Sequence, residues 1–204
     1  SASLERYLSL GKSGYPVFQS AQQILATLAQ HPELLRFFAV PQPNEKGSQI
    51  DWYSPTPGHV IAWNNASDEE KAQARVQLQA FTTQLQAKGQ EYIEHGRKGR
   101  PDAMLFGELL QEACKIPSAA NIYLVSPQAD GRAAPHTGAS ATAAQWADAG
   151  QGAAGADAQA PVLQPVLTFW GFVGNEEDRH KAPLYFLTPP HPKPAPSFRL
   201  CLRL

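Results

Sequence analysis

The chain has 204 residues, 43% of them hydrophobic, and its 17 Lys and Arg nearly balance 18 Asp and Glu. This length suits one domain with extensions or two very small domains, and the near-neutral charge argues against a chain that binds nucleic acid or a membrane surface over its whole length. Two cysteines without a CxxC motif argue against a disulfide framework or a zinc site and favour reduced thiols in the cytoplasm. No apolar run approaches the roughly 18 residues of a membrane span.

Two helices are predicted near the start of the chain. Residues 17–30 place apolar side chains on one face at helical spacing. A second, short helix is predicted over residues 33–39, with Pro32 as its first residue because the missing N–H costs nothing there. The segment PQPNEKGS that follows has the composition of a loop.

The next segments predict a β-hairpin. Residues 49–55 and 59–63 alternate between apolar and polar side chains, and SPTPG between them supplies turn residues, with Gly58 able to take a positive φ. In such a hairpin Asp51 and His59 would face each other across the strands on its polar side.

The best helix start in the chain is a capping box. The Ser67 hydroxyl can accept from the N–H of Glu70 while the Glu70 carboxylate reaches back to Ser67. The helix is predicted over residues 68–94, and an apolar stripe along it is expected to pack on the sheet. Another helix is predicted over residues 102–115. The stripe comprises Ala74, Leu78, Phe81, Leu85 and Tyr92.

A second pair of antiparallel strands is predicted over residues 121–125 and 165–173, with a last short strand at residues 184–187. Residues 127–161, rich in Ala and Gly and poor in large aliphatics, are predicted to be a disordered insertion between the paired strands. The predicted fold is α+β, with a small antiparallel sheet of two hairpins packed against three to four helices in a single domain over residues 1–188.

The tail over residues 189–204 combines a Pro-rich linker with the basic and apolar end FRLCLRL. Two interpretations remain open. The tail is a disordered end, or it is a spacer before a membrane span beyond Leu204, with Arg199 and Arg203 as the flanking positive charges.

Few residues suggest chemistry. The six histidines are scattered without i,i+4 pairing, so neither a metal nor a cofactor is predicted. Asp51 and His59, or Cys114, could serve a hydrolase, although no nucleophile motif surrounds them.

A basic cluster follows the long helix. Arg97, Lys98 and Arg100 could bind phosphate or nucleic acid. The cluster is short and has no interleaved aromatic residues, which favours an exposed loop that neutralises the end of a helix. Nucleic acid is therefore not an expected partner.

Five segments stand out as a set: LGKSGYPVF, VPQPNEKGSQIDWYSPTPGHVIAW, LFGELLQEA, NIYLV and QPVLTFWGFV. Together they resemble the SrfA-like virulence-associated proteins of Gram-negative bacteria, over roughly residues 8–173 without the insertion. The resemblance implies a longer protein whose soluble region precedes a membrane-anchored part, with SrfB-like and SrfC-like proteins as neighbouring-gene partners. It implies no established activity and no catalytic residues.

The leading hypothesis is therefore a non-enzymatic, cytoplasmic protein-interaction domain of a membrane-associated, virulence-related protein. The tail extends this hypothesis to the cytoplasmic part of an inner-membrane protein. Aromatic residues of the predicted sheet are the candidate contacts, because aromatic side chains are enriched where proteins meet. These candidates are Trp52, Tyr53, Trp63 and Trp170.

Overall fold

The computed structural model describes residues 2–3, 6–44, 49–127 and 162–187. The predicted insertion, apart from Pro127, and the predicted tail lie outside the described residues. Within the described ranges the fold is α+β with antiparallel sheets, which confirms the predicted class.

The described helices match the predicted helical segments, with shifted ends. The capping box is present, because Glu70 N donates to Ser67 Oγ at 3.2 Å and Ser67 N donates to Glu70 Oε2 at 2.7 Å. Pro32 and Pro101 stand in the first turns of their helices, where a missing N–H is tolerated. The helices are α1 Ala21–Leu28, α2 Pro32–Leu35, α3 Asp68–Arg97 and α4 Pro101–Glu112.

Two three-stranded antiparallel sheets organise the β part that the structure describes. The strands are β1 Ala2–Ser3, β2 Leu8–Ser9, β3 Gly11–Lys12, β4 Tyr15–Pro16, β5 Val40–Pro43, β6 Gln49–Tyr53, β7 Gly58–Ala62, β8 Ile122–Pro127, β9 Gln164–Leu167 and β10 Phe172–Val173. The first sheet has the order β1-β6-β5 and the second the order β7-β8-β9, while β3 pairs with β4 and β10 with β2.

The first predicted hairpin is not formed, because β6 and β7 belong to different sheets. β6 pairs with β5, which was predicted as part of a loop, and β7 pairs with β8. Alternation along a strand identifies its two faces but leaves its partner open. The β8 residues Leu124 and Val125 are both fully buried and lie on opposite faces of the sheet. Pairing with β8 therefore places β7 beside an apolar side chain on each face.

The second predicted pairing is confirmed, since β8 and β9 are antiparallel with Tyr123 opposite Val166. The far edge of β9 is covered by the backbone of residues 37–39. Leu167 N donates to the Phe37 carbonyl at 2.7 Å, and Ala39 N donates to the Leu167 carbonyl at 3.0 Å. β9 therefore has neighbours on both sides.

The predicted strand over residues 165–173 is interrupted by a turn at residues 168–171. Phe169 and Gly171 take positive φ angles of 53° and 78°. A Cβ at Gly171 would lie 2.5 Å from Val17 Cγ1, so this turn requires glycine for space as well as for backbone angle. After the turn, β10 pairs with β2.

The apolar stripe of α3 does not pack on the sheet along its whole length. Phe81 stacks on Phe37 with ring centroids 4.5 Å apart, whereas the later turns pack mainly on α4. At that crossing a Cβ on Gly107 would lie 2.5 Å from the Gly89 carbonyl oxygen and 2.9 Å from Ile93 N. The two glycines thus let the backbones of α3 and α4 approach each other closely.

The predicted strand at residues 184–187 is instead a short 3₁₀ turn, Tyr185–Leu187, held by a polar cluster. The buried Asp178 carboxylate accepts from Lys181 Nζ at 2.7 Å and from Tyr185 OH at 2.8 Å. The hydrogen bond from Lys181, with that from Tyr185, holds the pKa of Asp178 below its ordinary value of 3.8. In return, the hydrogen bond to Asp178 raises the pKa of Lys181.

Gly107→Ala should destabilise the protein by about 1–3 kcal/mol, because two of the three obstructing atoms belong to the backbone and cannot move aside cheaply. In an exposed helix the same change would stabilise by about 1 kcal/mol. Urea unfolding measures the difference, with the exposed α3 variant Gln84→Ala as a control expected to change stability by less than about 0.5 kcal/mol. A stabilised Gly107→Ala protein would contradict the close helix crossing.

Asp178→Asn should lower the melting temperature at pH 7 and flatten the acid side of the stability curve. Because the folded-state pKa of Asp178 lies below 3.8, its contribution is present above about pH 4 and is lost as pH falls through the folded-state value. Melting curves between about pH 3 and 7 test this. Glu177→Gln, an exposed neighbour in the same turn, is the control. Parallel pH curves for wild type and Asp178→Asn would rule out the role given to this carboxylate.

Candidate binding cleft between the two sheets

A cavity of about 500 Å³ lies between the two three-stranded sheets, and we call it the cleft. Its volume is in the range of small-molecule and side-chain pockets. Both sheets contribute lining residues, together with the turn that follows β9. The described lining residues are Tyr7, Ala39, Ile50, Trp52, Ser54, Val60, Ala120, Asn121, Tyr123, Val125, Val166, Thr168 and Phe169.

Successive side chains of a strand point to opposite faces, so every second residue of these strands faces the cleft. On β6, Ile50 and Trp52 point to it. On the other sheet, Val60 and Val125 stand opposite each other in the register and line the cleft together. The intervening Leu124 joins the core under the helices. The second sheet therefore has one face on the helices and one on the cleft.

One side of the cleft is built from aromatic rings. The ring centroids of Trp52 and Phe169 are 5.1 Å apart, and those of Tyr7 and Phe169 are 5.0 Å apart. Trp170 lies behind them, 6.1 Å from Trp52 in an edge-on arrangement. Such pairs prefer defined geometries and supply a stiff apolar surface.

Phe169 holds an unfavourable backbone conformation at this wall. Its φ of 53° places a bulky residue in the left-handed region, at a cost of about 1–2 kcal/mol. The neighbours fix the turn, because Thr168 N and Oγ1 both donate to the Asn121 carbonyl, at 2.9 and 3.0 Å. Trp170 Nε1 donates to the Ala39 carbonyl at 2.9 Å. In this backbone conformation the Phe169 ring lines the cleft.

Trp52 contributes a hydrogen-bond donor to the cleft. Its Nε1–H is buried and has no hydrogen-bond partner among the described residues, although the ring as a whole is half-buried. Such a donor costs about 1–3 kcal/mol until an acceptor reaches it. Two other buried atoms in the described part also lack a hydrogen bond, but Glu112 Oε2 and Arg179 Nε each lie 2.9 Å from an oppositely charged group.

The described lining of the cleft contains no Asp, Glu, His, Lys or Arg. The phenols of Tyr7 and Tyr123 are the acidic side chains of this lining. General acid–base chemistry near neutral pH needs a group that titrates there. The arrangement suits binding of an uncharged apolar group that brings an acceptor for Trp52.

The four predicted aromatic contacts have different surroundings. Trp52 lines the cleft, and Tyr53 is 51% exposed on the opposite side of β6. Trp63 is 5% exposed, with Arg75 lying 5.6 Å from its ring centroid, and Trp170 is fully buried. The last two belong to the core, so they are not surface contacts.

Asp51 and His59 do not face each other as predicted, because their strands belong to different sheets. Asp51 stands opposite Gln42 and His59 opposite Ser126. Each alternates with a residue that lines the cleft, so both side chains point away from it.

Cys114 is fully buried, and its Sγ donates to the Gln111 carbonyl at 2.8 Å. Burial raises the pKa of the Cys114 thiol to about 12. At pH 7 only about one thiol in 10⁵ is then a thiolate, the form that acts as a nucleophile.

The basic cluster is exposed around the end of α3. Lys98 and Arg100 line a surface hollow of about 380 Å³ that also contains the Glu91 carboxylate, while Arg97 lies outside its lining. The mixed charge of this hollow favours phosphate less than a purely basic one would. Phosphate or nucleic-acid binding stays a prediction.

Sequence reasoning missed Phe169, Tyr123, Val60 and Tyr7 as parts of one site. Phe169 carried a signal, since an aromatic pair before Gly171 inside an apolar run is typical of a tight turn within a strand pattern. The other three come together through the pairing of strands far apart in sequence, which alternation cannot show.

The chain matches no protein-family model, curated protein or solved structure in the comparisons made. In the part that the structure describes, no cluster of three or more His, Cys, Asp and Glu side chains could hold a metal ion. No helix of that part combines the length and the apolar character needed to cross a bilayer.

The Cys114 thiol should resist alkylation in the folded protein, since it is buried and its pKa is about 12. The test uses iodoacetamide at about pH 8 on a Cys201→Ser protein, with labelling followed by mass spectrometry in buffer and in denaturant. We expect labelling to be slower by more than about 100-fold in buffer. Equal rates in the two conditions would instead indicate an accessible, reactive thiol.

Proposed function

We propose that this chain is a non-enzymatic protein-interaction domain and that the cleft is its contact site. The observation that carries the proposal is the Trp52 Nε1–H, a buried donor that no described residue pairs with, in a cavity whose described lining is aromatic and uncharged. A partner group that supplies an acceptor relieves the cost of this donor and gains the burial of apolar surface at the same time.

The properties of the cleft support a binding role over a catalytic one. Hydrolysis needs a nucleophile or an activated water together with a base, and the described lining offers neither. Cys114 is buried in the core with a raised pKa, and Asp51 and His59 lie on different sheets. The hydrolase alternative therefore receives no support from these residues.

The biological setting of the proposal comes from the SrfA-like segments. On that basis the partner is a protein of a virulence-related assembly, such as an SrfB-like or SrfC-like neighbour. The domain would act on the cytoplasmic side of a membrane to which a segment beyond Leu204 attaches it. The uncharged cleft agrees with a protein partner, because protein interfaces are depleted of charge at their centre.

A peptide selection tests the proposal. Random linear peptides displayed on phage are selected on the full chain, and the affinity of the selected peptides is measured by fluorescence anisotropy. Val60→Glu puts a charge at the rim of the cleft and should weaken binding at least about tenfold, because an unpaired carboxylate would lose solvent when the peptide binds. Val60 is 50% exposed, so the substitution should leave the fold intact.

His59→Glu is the matched control, since the neighbouring side chain of the same strand is exposed and points away from the cleft. We expect it to change affinity by less than about threefold. The proposal fails if no peptide is selected, or if the selected peptides bind both variants as they bind the wild type.

A further inference from the structure

Strand β7 is an edge strand without the lysine or proline that often protects such an edge from pairing. In the β7-β8-β9 sheet no described strand lies on its other side. Its sequence GHVIA contains no lysine and no proline. Natural edge strands are usually interrupted by such residues or covered, because a free row of N–H and C=O groups recruits another strand.

The other described edges of the two sheets are protected against pairing with a further strand. β5 carries Pro41 and Pro43, which cannot donate to a further strand. β1, at the other edge of the first sheet, is only two residues long, and very short edge strands offer little to pair with. The outer side of β9 is covered by residues 37–39 through the hydrogen bonds of Leu167. β7 differs from all three, so its open edge stands out within the described part of the fold.

The open edge and the cleft adjoin each other at Val60. This residue lies in the middle of β7, lines the cleft and is 50% exposed. Side chains of an added strand alternate between the two faces of the sheet, so every second one would lie over the cleft face. The length of β7, five residues, accommodates an added segment about 17 Å long.

The chemistry of the cleft limits what such a segment carries. No charged side chain is present in the described lining to pair with a charged residue. The Trp52 Nε1–H requires an acceptor oxygen, which a backbone carbonyl or an amide side chain supplies. The complementary segment is extended, uncharged over the cleft, and apolar at the side chain that enters.

We infer that a partner protein binds by adding an extended segment as a further strand along β7, with an uncharged side chain in the cleft and an acceptor oxygen at Trp52 Nε1. This inference rests on the proposed function and specifies its mode. Affinity then comes from main-chain hydrogen bonds, and specificity comes from the alternate side chains that meet the cleft.

The test replaces each backbone N–H of one selected peptide by N–CH₃, one position at a time. In an added strand only every second residue donates to β7, so we expect losses of at least about tenfold at alternate positions within the core of the peptide. Methylation between those positions should have an effect of less than about threefold. The predicted signature is a period of two.

A second measurement follows hydrogen exchange of the β7 amides. Saturating peptide should slow exchange by more than about tenfold at one or more amides of Gly58–Ala62, because pairing protects those that face outwards. Exchange within α4 serves as the reference and should not change. Unchanged exchange at β7, or losses on methylation without a period of two, overturns strand addition.

Failure of strand addition is distinguishable from failure of the proposed function. If the peptide still responds to Val60→Glu but shows no period of two, the cleft binds and the mode is wrong. Sedimentation tests whether a second copy of the chain occupies the β7 edge. A free protein that is dimeric, and that the peptide dissociates, would assign the edge to a second copy of the chain and overturn the inference of a partner strand.

Replacing residues 128–161 by a short Gly-Ser linker tests this chain itself as the occupant. An increase of more than about tenfold in peptide affinity would mean that those residues compete for the edge, and it would overturn the inference. An affinity within about threefold of the wild-type value supports a separate partner.

Discussion

Residues 37–39 hold the architecture together through their hydrogen bonds to Leu167. These bonds close the far edge of β9 and fix Phe38 against Trp170 and Phe81, with ring centroids 5.1 and 5.4 Å apart. Trp170 Nε1 then donates to the Ala39 carbonyl, so one short backbone segment joins the end of α2, the second sheet and the turn after β9. β5 begins immediately afterwards at Val40 and leads the chain into the first sheet. The gap between the sheets therefore depends on this contact.

Local signals in the sequence were sufficient for the helices and insufficient for strand pairing. Ser67 and Glu70 predicted the start of α3 correctly, because the capping box is a contact between residues close in sequence. The partner of β7 is about sixty residues away, and nothing in the alternation of residues 59–63 distinguishes β8 from β6. In an isolated helix Gly89 would cost about 1 kcal/mol relative to alanine. Its missing side chain is needed by a helix that only the folded chain brings near.

Only part of the candidate site could be predicted from the sequence, for the same reason. Trp52 was a candidate contact because an aromatic residue in an alternating strand often serves an interface, and its ring does line the cleft. Trp63 and Trp170 have the same local signature and lie in the core instead. What separates them is how completely distant segments bury the ring, since Trp63 and Trp170 are buried and Trp52 is only half-buried. Trp170 has Phe38 and the Ala39 carbonyl beside it, whereas the indole nitrogen of Trp52 has no hydrogen-bond partner among the described residues.

The pairing of β8 with β9 has a consequence for the connectivity of the chain. Ile122 stands opposite Leu167 and Val125 opposite Gln164, in an uninterrupted register between strands that no tight turn joins. Because no short linker holds β8 next to β9, their pairing resembles the association of two separate polypeptides. Residues 1–127 and 162–204 could therefore recombine as separate polypeptides, with β9 and its turn completing the sheet. The protein would then be a natural starting point for a split reporter whose reassembly restores the cleft.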